Sequence, residues 1–351
     1  MRVTIITLSI FALLIGGYIF WWNSIADTAI SQFEAWKNAR LSGGITITHQ
    51  PVVTSGFPYR VKIDLEDVKI TRDQSGAQFG FETTIPTFWV LAQPWKPTHI
   101  IFGTLGTSSH TWTDGTATKS VSVTAKTALG SATFASSGKF KTLAIDITKS
   151  QIQSSSYGQT TADRLQLHSR MSTAPKKTEG SDAPASDTQM PTWQVAVTAD
   201  GIVFENGNAT PLGGIITKAN ISATVDGRPK DFRTKDSIER WRDQGGSVEI
   251  LDMNLIWGES QISGNGAVSL DENNQPLGAF STKITGFNNL LALLEKSQKL
   301  DKQSLKTAAV ALNLISKEDE NARRYLDLPM SLQNGGLYIG PFKLMNTVPL
   351  F

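Results

Sequence analysis

The segment TSGFPYRVKIDLEDVKI, residues 54–70, opens as a half-buried strand. Val61, Ile63 and Leu65 alternate with Lys62 and Asp64, the two-residue period of a sheet with one wet face. The period then slips: Val68 and Ile70 carry the apolar series onward on even numbers. A second slip lies in GGSVEILDMNLIWGE, residues 245–259, where Val248 and Ile250 give way to Leu251, Met253, Leu255 and Trp257. One extra residue makes a β-bulge, which restores the apolar face while bending the strand. Two shorter strands meeting at a corner would give the same pattern. Either way, long one-sided strands with such slips predict a curved sheet.

Other stretches share the alternation. Val121, Val123 and Ala125 fall on one side of their strand, as do Leu143, Ile145 and Ile147. Trp193, Val195, Val197 and Ala199 oppose Gln194, Ala196 and Thr198, and Ile215, Thr217, Ala219, Ile221, Ala223 and Val225 oppose Lys218, Asn220 and Ser222. Turns are expected at Asp114-Gly115, Asp200-Gly201, Asn206-Gly207, Asp226-Gly227 and Asn334-Gly335. The expected apolar inner face therefore includes Val61, Ile63, Leu65, Val195, Val197, Ile215, Ile221, Leu255 and Trp257.

Helical periodicity is confined to the two ends. VTIITLSIFALLIGGYIFWW, residues 3–22, carries no charge and at ~1.5 Å per residue spans roughly the 30 Å of a bilayer core. Arg2 leads it, which places the N-terminus in the cytoplasm, and Tyr18, Trp21 and Trp22 suit the far headgroup layer. The competing reading is a signal peptide cleaved after Ser24-Ile25-Ala26, but the apolar run exceeds the usual 7–15 residues of such peptides. An apolar stripe of Trp22, Ile25, Ala29, Phe33 and Trp36 then extends the helix as a stalk to Gly43-Gly44. Late in the chain about three helices are expected near 288–326. Leu290, Leu291, Leu293 and Leu294 mark the first; Leu305, Ala308, Ala309, Leu312 and Ile315 mark the second. The third is KEDENARRYL, with Asp319–Arg323 and Glu320–Arg324 at i, i+4.

Residues 171–191 contain no large aliphatic side chain besides two methionines, a composition that cannot offset its ordering entropy. The expected organisation is a transmembrane signal anchor at 1–22, a helical stalk at 23–42 and a first β-rich part at 43–170. A disordered linker or loop at 171–191 and a second β-rich part at 192–351 complete it.

Chemistry is sparse. The 33 Lys and Arg against 31 Asp and Glu leave a net charge of +2, without the clustered basic face that nucleic acid requires. No cysteine is present, which excludes disulfides, thiolate metal sites and a cysteine nucleophile. His49, His99, His110 and His168 share no metal-ligand spacing. Ser136 and Lys139 match S-x-x-K only at a glycine turn, and Asp64, Glu66 and Asp67 read as the polar side of their strand. No catalytic, metal or cofactor residues are expected, and the expected partner is a membrane.

The anchor with its tryptophans, GFPYR at 56–60, WRDQGGSVEILDMNLIWG at 241–258, SGNGAVSLDENNQPLGAF at 263–280 and the closing LQNGGLYIGPFKL carry a resemblance over nearly the whole chain. The sequence resembles domain-of-unknown-function family 2125, membrane-anchored envelope proteins of alphaproteobacteria. More distantly, the architecture is similar to AsmA-like envelope proteins, whose curved β-grooves are implicated in moving phospholipid. The resemblance implies a non-enzymatic, single-pass inner-membrane protein with a periplasmic, mainly β body: a large curved or rolled antiparallel sheet. Its interior is either a groove that takes phospholipid or a filled core, which would make the protein an envelope scaffold. A hydrolase with scattered site residues is the third reading.

Overall fold

In a computed structural model, described over residues 2–72, 80–113, 117–172, 192–205, 210–227, 234–296, 302–320, 323–340 and 342–350, the chain is mainly β and its strand pairs are antiparallel. The linker expected at 171–191 lies outside the described residues from 173 onward, as do the turns expected at 114–115 and 206–207. Two compact units form: Met1–Phe140 with Ile145–Gly158, and Lys141–Ala144 with Gln159–Phe351.

The first unit begins with α1 (Arg2–Leu41), an unbroken helix of 40 residues. Strands β1 (Ile45–Thr48), β2 (Val53–Ser55), β3 (Val61–Arg72) and β4 (Gly80–Gln93) follow. Then come β5 (Lys96–Leu105), β6 (Ser108–Thr113), β7 (Thr118–Phe134) and β8 (Phe140–Ser154). Both β1 and β2 pair with β3, β3 pairs with β4, and β5 and β6 each bridge β4 to β7.

The phase slip before Val68 is a crease, not a one-strand bulge. Glu66 faces Thr87 and Val68 faces Ile85, so neither strand gains a residue on the other. Between them Asp67 takes a left-handed φ of 51° opposite Pro86, whose nitrogen cannot donate to a ladder. In line with them lie the break between β1 and β2 and, beside Pro86, Gly106 with φ 82° between β5 and β6. β3 and β4 change phase together, whereas the β5–β6 segment gains one residue on β4 across the corner, Thr87 facing Leu105 and Thr84 facing Ser109, and keeps its own phase.

Over β1 and β3 the apolar side is covered by α1. Trp22, 7 % exposed, and Ala26 pack on Val61, while Phe33 packs on the Ile47–Leu65–Val68 cluster. Trp22 Nε1 donates to the Arg60 carbonyl at 3.1 Å and the Tyr18 hydroxyl to that of Pro58 at 2.5 Å. At the other end Glu34 pairs with Lys37 at 2.6 Å and lies 3.4 Å from His49. The Lys37 ammonium, with help from His49, holds the Glu34 carboxyl below its ordinary value.

The second unit holds β9 (Gly158–Ser172), β10 (Thr192–Phe204), β11 (Ile215–Asp226), α2 (Lys235–Asp243) and β12 (Ser247–Trp257). It continues with β13 (Ser260–Leu270), β14 (Pro276–Thr285), α3 (Phe287–Lys296), α4 (Lys302–Ile315) and β15 (Lys317–Glu318). It closes with β16 (Arg324–Gln333), β17 (Gly336–Ile339) and β18 (Phe342–Asn346). The ladder runs β9–β10–β11–β12–β13–β14–β16–β17–β18, with β15 hydrogen-bonded to β16.

Here the slip in β12 is a true bulge. Ser222 faces Asp252 but Ala223 faces Ile250, so Leu251 is the extra residue, and it is exposed rather than on the apolar side. A crease also recurs. Asp200-Gly201 lies inside β10 instead of forming the expected turn; Gly201 has φ 61°, and a Cβ there would meet Asp163 Oδ2 at 2.3 Å. Thr217, in line with Gly201, is skipped by the β11–β12 register. Beyond this corner Ile216 is the buried residue and Ile215 the exposed one, which reverses the expected facing.

Two helix expectations change. KEDENARRYL forms β15 and the start of β16, and its Asp319–Arg323 pair closes the turn between them at 2.9 Å. In its place α2 is the third short helix, held by Trp241 Nε1 donating to the Asp226 carbonyl at 2.8 Å.

Gly201→Val should destabilise the second unit by about 1–2 kcal/mol from the left-handed backbone alone, and by more from the contact with Asp163, read as a lower thermal midpoint. Glu34→Gln should be less stable than the parent at neutral pH. The gap should close as pH falls through the carboxylate range, because the depressed Glu34 pKa adds stability only while the group is ionised; denaturant titrations across pH measure it.

Candidate functional site

Register places the apolar residues of the second unit in rows that cross seven strands. One row is Leu165, Ala199, Ala219, Leu255, Ile262, Ile284 and Leu326. The next row is Leu167, Val197, Ile221, Met253, Gly264, Thr282 and Leu328. Beyond it Val195, Ala223, Ile250, Gly266, Phe280 and Met330 stand in line. The opposite side carries Gln194, Thr198, Lys218, Asn220, Ser222, Asn254, Ser263 and Lys283, as a solvated sheet side should.

Coverage of the apolar side is partial. Over β14, β16 and β17, Phe287 of α3 and Leu312 of α4 pack with Ile284, Leu326 and Ile339, and Leu290 and Leu291 complete the cluster. Leu326 is 1 % exposed. Two helices of ~10 Å diameter side by side span about 20 Å, the width of roughly four strands at ~4.8 Å spacing. The rows are longer than that. Among the described residues, the face over β10 to β13 is left open as a trough of about 410 Å³, lined by the apolar side chains of Val197, Ala199, Ala219, Ile221, Met253, Leu255 and Ile262. Val197 is 41 % and Ile221 40 % exposed.

Glycine shapes the trough's far side. A Cβ on Gly264 would approach the Ser281 carbonyl oxygen at 2.2 Å, and one on Gly266 the Ala279 carbonyl oxygen at 2.4 Å. The Phe280 ring edge, 2.6 Å from where a Gly266 Cβ would stand, takes the space over β13 there.

Of the residues expected on the inner face, Val195, Val197, Ile221 and Leu255 share this side. Trp257 continues it past the corner; its Nε1 donates to the Gly213 carbonyl at 2.9 Å. Ile215 does not belong to it. Val61, Ile63 and Leu65 lie in the first unit under α1, where they are packed. Trp22 is taken up by the first unit, Tyr18 bonds to Pro58, and Trp21 stays exposed.

The polar candidates are scattered. His49 bonds to Gln50 and lies near Lys37, His99 Nε2 is 2.9 Å from Ser131 Oγ, and His110 Nδ1 is 2.7 Å from Thr83 Oγ1. His168 faces Ala196 across the ladder. Among the described residues no three His, Asp or Glu side chains group as metal ligands.

Leu326→Asp should unfold the second unit, since a charge without a partner beneath α3 and α4 costs several kcal/mol. Ile221→Asp should keep a near-parental thermal midpoint, because its carboxylate reaches solvent in the open trough.

No curated protein and no solved structure gives a significant match. A family model does match residues 22–347, so the chain belongs to the family described as an uncharacterized protein conserved in bacteria, DUF2125.

Proposed function

We propose that this protein is a non-enzymatic, inner-membrane-anchored periplasmic protein that handles phospholipid through the open apolar trough of its second unit. The carrying observation is a sheet side built as one apolar surface yet covered by helices over only part of its width. An acyl chain suits such a surface: it needs contact and exclusion of water, with no directed polar group. Transfer of apolar area from water to the trough is worth about 25 cal/mol per Å², so a partly seated chain is held for kilocalories and still released. α1, long and apolar enough to cross a membrane, supplies the tether. Arg2 ahead of it puts the N-terminus in the cytoplasm and the body on the far side.

The test is photocrosslinking in cells with p-benzoylphenylalanine in the full chain, at Ile221 on the open side and at Lys218 on the polar side. A phospholipid-mass adduct at 221 and none at 218 is the expected result. Equal labelling of both positions, or a protein adduct at 221, overturns the lipid reading; the protein adduct would leave an envelope scaffold in its place.

A further inference from the structure

The end of the first unit from which the apolar half of α1 departs has a composition of its own. Every residue of α1 from Arg2 to Gly17 is exposed, while Tyr18 and Trp22 lie against the loop between β2 and β3. Phe57 in that loop sits 6.0 Å from Tyr18 and 5.6 Å from Trp22, ring centre to ring centre. Phe57 is half exposed and Tyr59 is 73 % exposed. The β4–β5 turn lies at the same end, since Val61 faces Ala92, and it presents Trp95, 55 % exposed. The β7–β8 turn lies there too, since Ile100 faces Ala132. These three segments carry Arg60, Lys96 and Lys139, and residues 51–60, 91–99 and 133–140 contain no Asp or Glu. Between loop and turn is a cleft of about 480 Å³ lined by Phe57, Tyr59, Arg60, Leu91 and His99 among others.

Length sharpens the point. From Val3 to Gly17 the helix rises only ~22 Å at ~1.5 Å per residue, short of a hydrocarbon core of roughly 30 Å. A bilayer that covers the uncharged run to Trp22 must reach the Phe57–Arg60 loop, because that loop is hydrogen-bonded to Tyr18 and Trp22. Exposed aromatic rings with cations and no acids are the side chains that the headgroup layer favours.

We propose that this end of the first unit is a bilayer-docking surface, with Phe57, Tyr59 and Trp95 lodged in the headgroup layer and Arg60, Lys96 and Lys139 against phospholipid phosphates. The first unit is then seated on the membrane at a fixed angle instead of swinging on its tether. This rests on the reading of α1 as a membrane anchor, and the experiment separates the two.

The chain has no cysteine, so single-cysteine variants of the full protein take one spin label each. Ile10→Cys, Tyr59→Cys, Trp95→Cys and Tyr157→Cys are reconstituted in nanodiscs of phosphatidylethanolamine and phosphatidylglycerol. Collision with oxygen is compared with collision with a water-soluble nickel chelate. Tyr157 is an exposed control in the turn after β8, beside Ser155, whose N–H bonds to Ser120 at the opposite end of β7. The expected order of oxygen preference is Ile10 highest, positions 59 and 95 several-fold above 157, and 157 aqueous. Positions 59 and 95 as aqueous as 157, with position 10 deep, overturn the docking surface alone. Position 10 also aqueous overturns the anchor and the docking surface together.

Discussion

A sheet with one apolar side has to put that side against something, and this chain has few helices to put there. In the first unit a single helix covers β1 and β3. The Trp22–Phe33 stretch of α1 lies along β1 and β3 and closes the clusters around Val61 and around Ile47, Leu65 and Val68. The same helix begins as the uncharged run from Val3, long and apolar enough to cross a membrane, so that run and the cover of the core belong to one continuous element. In the second unit α3 and α4 cover the end of the sheet around Ile284 and Leu326 and leave Val197 and Ile221 open to solvent. Whatever the second unit does with that open side, its remaining apolar side is already committed to folding.

The corners keep the apolar side apolar. A bulge corrects the phase of one strand and leaves its neighbours alone, as Leu251 does in β12. A crease corrects neighbouring strands at once: β3 and β4 keep their register through one, as do β9, β10 and β11 through the other, and the next strand over takes up a one-residue shift. A crease needs residues that tolerate losing a ladder position: Asp67 in a left-handed conformation, Pro86 without an N–H, Gly106 and Gly201 with positive φ. Each is a poor strand former by the usual measure. Their place in long strands reflects the geometry of the corner.

Much of this was legible in the sequence. Two-residue alternation identified the sides of β3, β10 and most of β11, and the uncharged run with its stripe identified α1. What was not legible depends on partners distant in the chain. Whether the slip at Val68 was a bulge or a crease turned on Pro86, which means little until it stands opposite Asp67. Asp200-Gly201 has the composition of a hairpin turn, and only the ladder from β9 to β11 shows the chain running straight through it. KEDENARRYL has helical charge spacing, but Asp319 and Arg323 sit as close across a tight turn as one turn apart on a helix. The trough itself is a matter of width: the residues that line it were readable, whereas the extent of cover by α3 and α4 was not.

Ser172 and Thr192 face each other as the last and first rungs of the β9–β10 ladder. The end of β9 and the start of β10 therefore stand side by side. Closing a longer excursion there costs only about 0.6 kcal/mol for each doubling. This position can accept an inserted tag or a reporter domain with its termini close together, and homologues are free to differ in length there without disturbing the strands on either side.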